Sequence, residues 1–135
     1  MSDLDHAQAL LRMARADLNA LKGMLSLALP AAESYFSDEV FGFHAQQAAE
    51  KCLKAWVASL GLRYPKTHDL MSLIEELADA GVDVSTLDRL VELNPFAVEY
   101  RYESLDSDEE PIDRDSILSE VDRLFNDVAA RLGSA

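Results

Sequence analysis

From Leu4 the apolar positions run Leu4, Ala7, Leu11, Ala14, Leu18, Leu21, Leu25 and Ala28, in alternating steps of three and four. That spacing follows the turn of an α-helix and excludes a strand, whose side chains alternate faces every two residues. One stripe this long predicts an amphipathic helix that must bury its apolar side against other elements. Pro30 marks its expected end, because proline cannot continue the hydrogen-bond ladder.

The rest of the chain has the same grammar. Ser37 is placed to cap a second helix, with Asp38 and Glu39 matching the positive end of its dipole and Gly61 as its stop. Its apolar positions include Val40, Phe43, Ala48, Cys52, Leu53, Trp56, Val57 and Leu60. After Pro65, either Thr67 or Asp69 can cap a third helix over about His68–Ala80, stopping at Gly81. A short helix fits VSTLDRLVEL, where Ser85 and Asp88 resemble a capping box, and Asn94-Pro95 is its expected end. A last helix opens near Pro111 and carries Ile117, Val121, Leu124, Phe125, Val128 and Leu132 on one face up to Gly133. No strand pair and no internal repeat is visible. The expected fold is all-α: an up-and-down antiparallel bundle of four long or medium helices plus a short one, in a single domain over residues 1–135. The mixed aromatic and acidic stretch 94–112 reads as a solvated connection.

Apolar residues make up 49% of the sequence, enough for a core, while a net charge of -13 opposes broad binding to nucleic acid or anionic lipid. Cys52 is the only cysteine, so no internal disulfide and no thiolate metal cage can form, which suits a reducing, cytoplasmic location. No secretory leader and no membrane-spanning run is expected. Residues 41–70 depart from the acidic background: Lys51, Lys54, Arg63 and Lys66 against Glu50 and Asp69 leave a local balance of +2 and -15 elsewhere. Lys51 and Lys54 share one face of the second helix, and Lys66, Thr67 and His68 follow close to a helix start whose free N–H groups favour anions. A local anion site is thereby predicted, against the blander reading of solubilising lysines and ordinary capping.

Arg63 and His68 stand at a spacing that would suit a metal-independent nuclease, with His68 as proton carrier and a neighbouring cation positioning phosphate. His6 and His44 have no partner at metal-ligand spacing, and His44 reads as a helix-surface or interface residue. The acidic run from Glu103 to Asp115 has no EF-hand pattern. Gly-rich phosphate loops, nucleophile elbows and dinucleotide fingerprints are missing, so no cofactor or metal is expected.

FHAQQAAEKCLKAW, followed by PKTHDL and then VEYRYE, resembles the HEPN domain family, and the ordered match spans most of the chain. The resemblance implies a helical bundle, commonly a homodimer, often encoded beside a minimal nucleotidyltransferase in toxin-antitoxin-like pairs. Some members are ribonucleases that use an arginine and a histidine at the start of a late helix. Arg63 and His68 fall before the third helix, not there. The arginine nearer that place is Arg101, and Asp106, Ser107 and Asp108 occupy the positions where its histidine would fall. The nuclease motif is missing, and an aspartate would repel a phosphate instead of protonating it.

By the resemblance, Gln46, Gln47, Lys51, Lys54, Lys66, Thr67, His68, Asp69, Tyr100, Arg101 and Tyr102 form a shared groove for a nucleotide or a partner. The leading expectation is a noncatalytic HEPN protein that binds a nucleotide, a nucleotidyltransferase partner, or both, with no membrane role. The alternatives are a ribonuclease toxin acting on RNA and a ligand-free helical dimerisation module. The stripe of the first helix and the Trp56 face are the two candidates for a dimer interface.

Overall fold

A computed structural model describes residues 3–26, 36–97 and 112–133. Every regular element among them is helical: α1 (Asp3–Leu25), α2 (Asp38–Ser59), α3 (Leu70–Asp79), a 3₁₀ helix (Asp88–Phe96) and α4 (Arg114–Arg131). The expected all-α bundle is thus observed.

Hydrophobic periodicity sets what each helix buries. In α1 the inward residues are Ala7, Leu11, Ala14, Leu18, Leu21 and Met24, so the stripe drifts by one position at its end and Leu25 is only half-buried. Leu4, the first member of the stripe, stays 45% exposed. The end expected at Ala28 and Pro30 lies outside the described residues.

α2 is the hub, packing against α1, α3, the 3₁₀ helix and α4. A helix contacted on so many sides must be apolar around much of its circumference, and from Ala48 to Ala58 it carries Ala48, Ala49, Cys52, Leu53, Ala55, Trp56, Val57 and Ala58 in the core. Trp56 is only 3% exposed and lies under the Arg131 guanidinium, 4.5 Å from its ring centroid. Neither the α1 stripe nor the Trp56 face is therefore open for a dimer contact, because both are used inside the chain.

Local signals explain most of the helix boundaries. Ser37 caps α2 as expected, its hydroxyl accepting from the Val40 N–H, and Gly61 follows at φ +75°, a left-handed conformation that glycine adopts without a Cβ penalty. Of the two candidates for α3, Asp69 is the cap, accepting from the Met71 N–H, so the helix starts at Leu70 and not at His68. Asp113 caps α4, which begins at Arg114, three residues after Pro111.

The short helix expected after α3 is present, with other bounds. It forms a 3₁₀ helix that begins at Asp88 with no side-chain cap and continues through Pro95. Ser85 does not cap it: Asp83 accepts from the Ser85 N–H in a local turn. Three-residue periodicity suits this stretch because Leu87, Leu90 and Leu93 are then in register, and all three are buried. Phe96 continues that row and packs its ring against Gly42 of α2, where a Cβ would collide with it.

Candidate functional site

Although α2 is otherwise apolar on its packed faces, Gln46 is fully buried and Glu50 is 4% exposed. A buried carboxylate is costly unless several donors meet it, and here they do. The Lys54 ammonium donates to Glu50 Oε2 at 3.0 Å, one helical turn along, while His68 Nδ1 and Gln46 Nε2 donate to Oε1 at 2.9 and 3.0 Å. Gln46 Nε2 also reaches the His68 backbone carbonyl at 3.0 Å, and Gln46 Oε1 accepts from Gln47 at 2.7 Å. The connection between α2 and α3 is thereby tied to α2 through both the side chain and the backbone of His68.

Burial alone would push the Glu50 carboxyl up. The hydrogen bonds from Gln46, Lys54 and His68, together with the Lys54 charge, outweigh it and hold the group below the ordinary glutamate range. Glu50 is accordingly an anion at neutral pH. With Nδ1 engaged, His68 leaves Nε2 for solvent or a ligand, and its side chain is 42% exposed.

A second network meets the same helix from the side of α1. Asp17 accepts from Lys51 Nζ at 2.7 Å and from His44 Nδ1 at 3.0 Å. Lys51 and Lys54 are therefore both engaged by carboxylates, which the local charge balance of the sequence does not reveal.

Asp69 and Asn94 hold the start of α3. Asn94 Nδ2 donates to Asp69 Oδ1 at 2.8 Å, and Asn94 Oδ1 accepts from the Leu70 N–H at 2.9 Å. With Met71 N–H also bound to Asp69, these two helix N–H groups are already satisfied, so the free N-terminus expected to attract an anion is partly closed. Thr67 accepts from the Asp69 N–H at 2.9 Å and shapes the approach to the helix.

Among the expected site residues, Gln47, Lys51, Lys54, Lys66, Thr67, His68 and Asp69 all lie on α2 or on its connection to α3. Tyr100, Arg101 and Tyr102 lie outside the described residues, as do Asp106, Ser107 and Asp108. Lys66 and Arg63 are exposed, with no ion pair or hydrogen bond among the described residues. The residues that sequence reasoning did not single out are Glu50, Asp17 and Asn94. For Glu50 there was a signal, since it follows Gln46 by one turn and precedes Leu53 on the inward face; Asp17 and Asn94 lie far away in sequence and gave none.

A cavity of about 280 Å³ separates the 3₁₀ helix from the start of α4. Its charged lining is Arg89, Glu92, Asp113 and Glu120, with Arg89 donating to Glu120 at 3.4 Å, so its acidic excess makes it a poor anion site. No group of histidine, cysteine or acidic residues among the described residues could hold a metal ion, and no helix there is long and apolar enough to cross a membrane.

The helical hub, its AQQAAEK face and the KTHDL connection locked onto it together define a small helical domain with a polar seam. The HEPN domain family profile matches residues 7–131, nearly the whole chain, and the chain belongs to that family. No curated protein and no solved structure matches it.

Proposed function

We propose that this HEPN protein is a noncatalytic binding protein that engages a nucleotide, a nucleotidyltransferase partner, or both, at the seam where α2 meets its connection to α3. The observation that carries the reading is the Glu50-centred network. It fixes the exposed edge of His68 beside Lys54, with the unpaired Lys66 two residues away. Lys51 and Lys54 are partly neutralised by their carboxylates, so Lys66 and Arg63 supply the mobile positive charge and the networks supply orientation. A cytoplasmic, homodimeric protein working within a toxin-antitoxin-like pair is the setting that this reading fits.

Titrating ATP into the purified protein tests it. Binding in the micromolar to millimolar range is expected, weakened by roughly tenfold in Lys54→Ala/Lys66→Ala as charge-assisted contacts are removed. No binding at millimolar ATP removes the nucleotide half of the proposal, and unchanged partner capture by the double variant removes the other half and favours a ligand-free module.

One observation favours a second reading, an RNA-cleaving centre. An imidazole held through Nδ1 by a carboxylate, with Nε2 open, is arranged as a general base would be. It predicts RNA cleavage lost in His68→Ala; RNA that stays intact through long incubation with the wild-type protein rejects it.

A further inference from the structure

The cavity between the 3₁₀ helix and the start of α4 is no part of the seam, and its lining is of two kinds. The floor is apolar: Leu90 and Leu93 are buried, while Phe96, Ile112 and Ile117 are only half-buried around a space of about 280 Å³. Pockets that hold small molecules start at about 300 Å³, so this one suits a compact ligand. Covering Phe96, Ile112 and Ile117 removes further apolar surface from water, which favours a ligand with an apolar body.

The rim is acidic. Arg89 stands against Glu92, Asp113 and Glu120, a balance of -2, and counting Arg123, which pairs with Glu120 at 3.6 Å, still leaves -1. No neighbouring charge reverses that sign. Asp113 is the cap that answers the positive start of α4, and Asp88 and Asp115, next to the rim in sequence, are acidic. Arg114 is buried and turned to Asp38 and the Phe36 carbonyl, and Arg101 is the one cation in the sequence of the segment 98–111 that joins the two walls. Arg89 itself is loosely held. Its side chain is 66% exposed, its hydrogen bonds to Glu120 and Ser116 are both 3.4 Å long, and Glu92 lies at 3.9 Å. Long, exposed pairs of this kind contribute little, so a better-seated cation can replace the guanidinium at Glu120, whose side chain is only 17% exposed.

We propose that this cavity is a second binding site, separate from the seam, for a small organic cation with an apolar body, an alkyl- or arylalkylamine. The body covers Phe96, Ile112 and Ile117, and the ammonium displaces Arg89 at Glu120 with Glu92 beside it. The floor selects the body and the rim selects the charge. The same rim disfavours a nucleotide, so the two sites take ligands of opposite charge.

NMR titration of the ¹⁵N-labelled full chain at pH 7 tests this with 2-phenylethylammonium, with 3-phenylpropanoate and with ethylammonium. The second has the same body and the opposite charge; the third has the head without the ring. The expected result is a dissociation constant of about 1 mM for 2-phenylethylammonium, with shifts concentrated at the amides of Leu90, Leu93, Ile112, Ser116 and Ile117, and binding at least about tenfold weaker for the other two probes. Glu92→Gln and Glu120→Gln should each weaken it about threefold to tenfold, whereas Arg89→Gln should leave it equal or tighten it about twofold. Glu92 is 77% exposed, so its substitution spares the fold, and circular dichroism checks the other variants. Binding of 3-phenylpropanoate as tight as that of the amine overturns the selection for a cation. Ethylammonium bound as tightly overturns the part played by the apolar floor. Affinity unchanged in both glutamate variants overturns the part played by the rim, and weaker binding in Arg89→Gln overturns the displacement of Arg89. No shifts with about 10 mM 2-phenylethylammonium, or shifts only outside the cavity, overturn the site itself. None of these outcomes bears on ATP binding at the seam, which is measured separately.

Discussion

Glu50 shows how one residue can decide the state of its neighbours. Removing its carboxylate leaves Lys54 without its acceptor and the buried Gln46 amide with the His68 carbonyl alone, and His68 loses the group that orients it. Glu50→Ala is expected to lower stability by about 2–4 kcal/mol, measured by urea unfolding, because the retained donors are desolvated and unpaired. The pH dependence has a definite sign. The folded carboxyl lies below its unfolded value, so its contribution is present above the ordinary glutamate range and disappears as pH falls through the folded value. The stability gap between wild type and Glu50→Gln should accordingly be wide at pH 7 and narrow toward pH 3; a constant gap would contradict the assignment. Asp69 is the second such residue, since it caps α3, accepts from Asn94 and accepts from the Ser72 hydroxyl. Asp69→Ala should cost about 1–2 kcal/mol in the same assay.

Between elements, the packing of α2 against the 3₁₀ helix depends on the absence of a side chain at position 42. Gly42 is buried within α2, and a methyl group there would enter the Phe96 ring. Gly42→Ala should therefore destabilise by about 1–3 kcal/mol despite the better helix propensity of alanine, and Gly42→Ala/Phe96→Leu should recover part of the loss. Thermal unfolding of the three variants reads both effects. This contact also shows which parts of the fold were legible in the sequence. The four α-helices were readable because each has a 3.6-residue stripe and a local stop or cap, as in Ser37, Gly61 and Gly81. The short helix was readable as a helix but not as a 3₁₀ helix, because Leu87, Leu90 and Leu93 satisfy either helical period. The site was legible to a similar extent. The AQQAAEK and KTHDL segments identified which stretches meet, but nothing local to Lys51 or Lys54 says that Asp17 and Glu50 engage them.

For the whole molecule the balance is between a net charge of -13 and a seam that gathers cations. Self-repulsion on an acidic surface is relieved by salt, whereas an anion held by Lys66 and His68 is lost to it. Raising NaCl from about 50 to 500 mM, across which the screening length falls from beyond 10 Å to a few ångströms, should raise the melting temperature of the free protein while weakening nucleotide binding. Opposite responses of the two measurements distinguish a local site from general charge effects. Exposed pairs such as Lys22 with Asp122, at 3.3 Å, contribute little to that balance.

The central claim is that the seam between α2 and its connection to α3 is where this protein binds its ligand. The most direct measurement is a ¹⁵N-¹H NMR titration of the full chain with ATP, following backbone amides and the glutamine side-chain amides. Shifts concentrated at Gln46, Gln47, Lys51, Lys54 and Lys66–Asp69 are predicted. Shifts confined to the cavity between Arg89 and Glu120, or none at millimolar ATP, would contradict it.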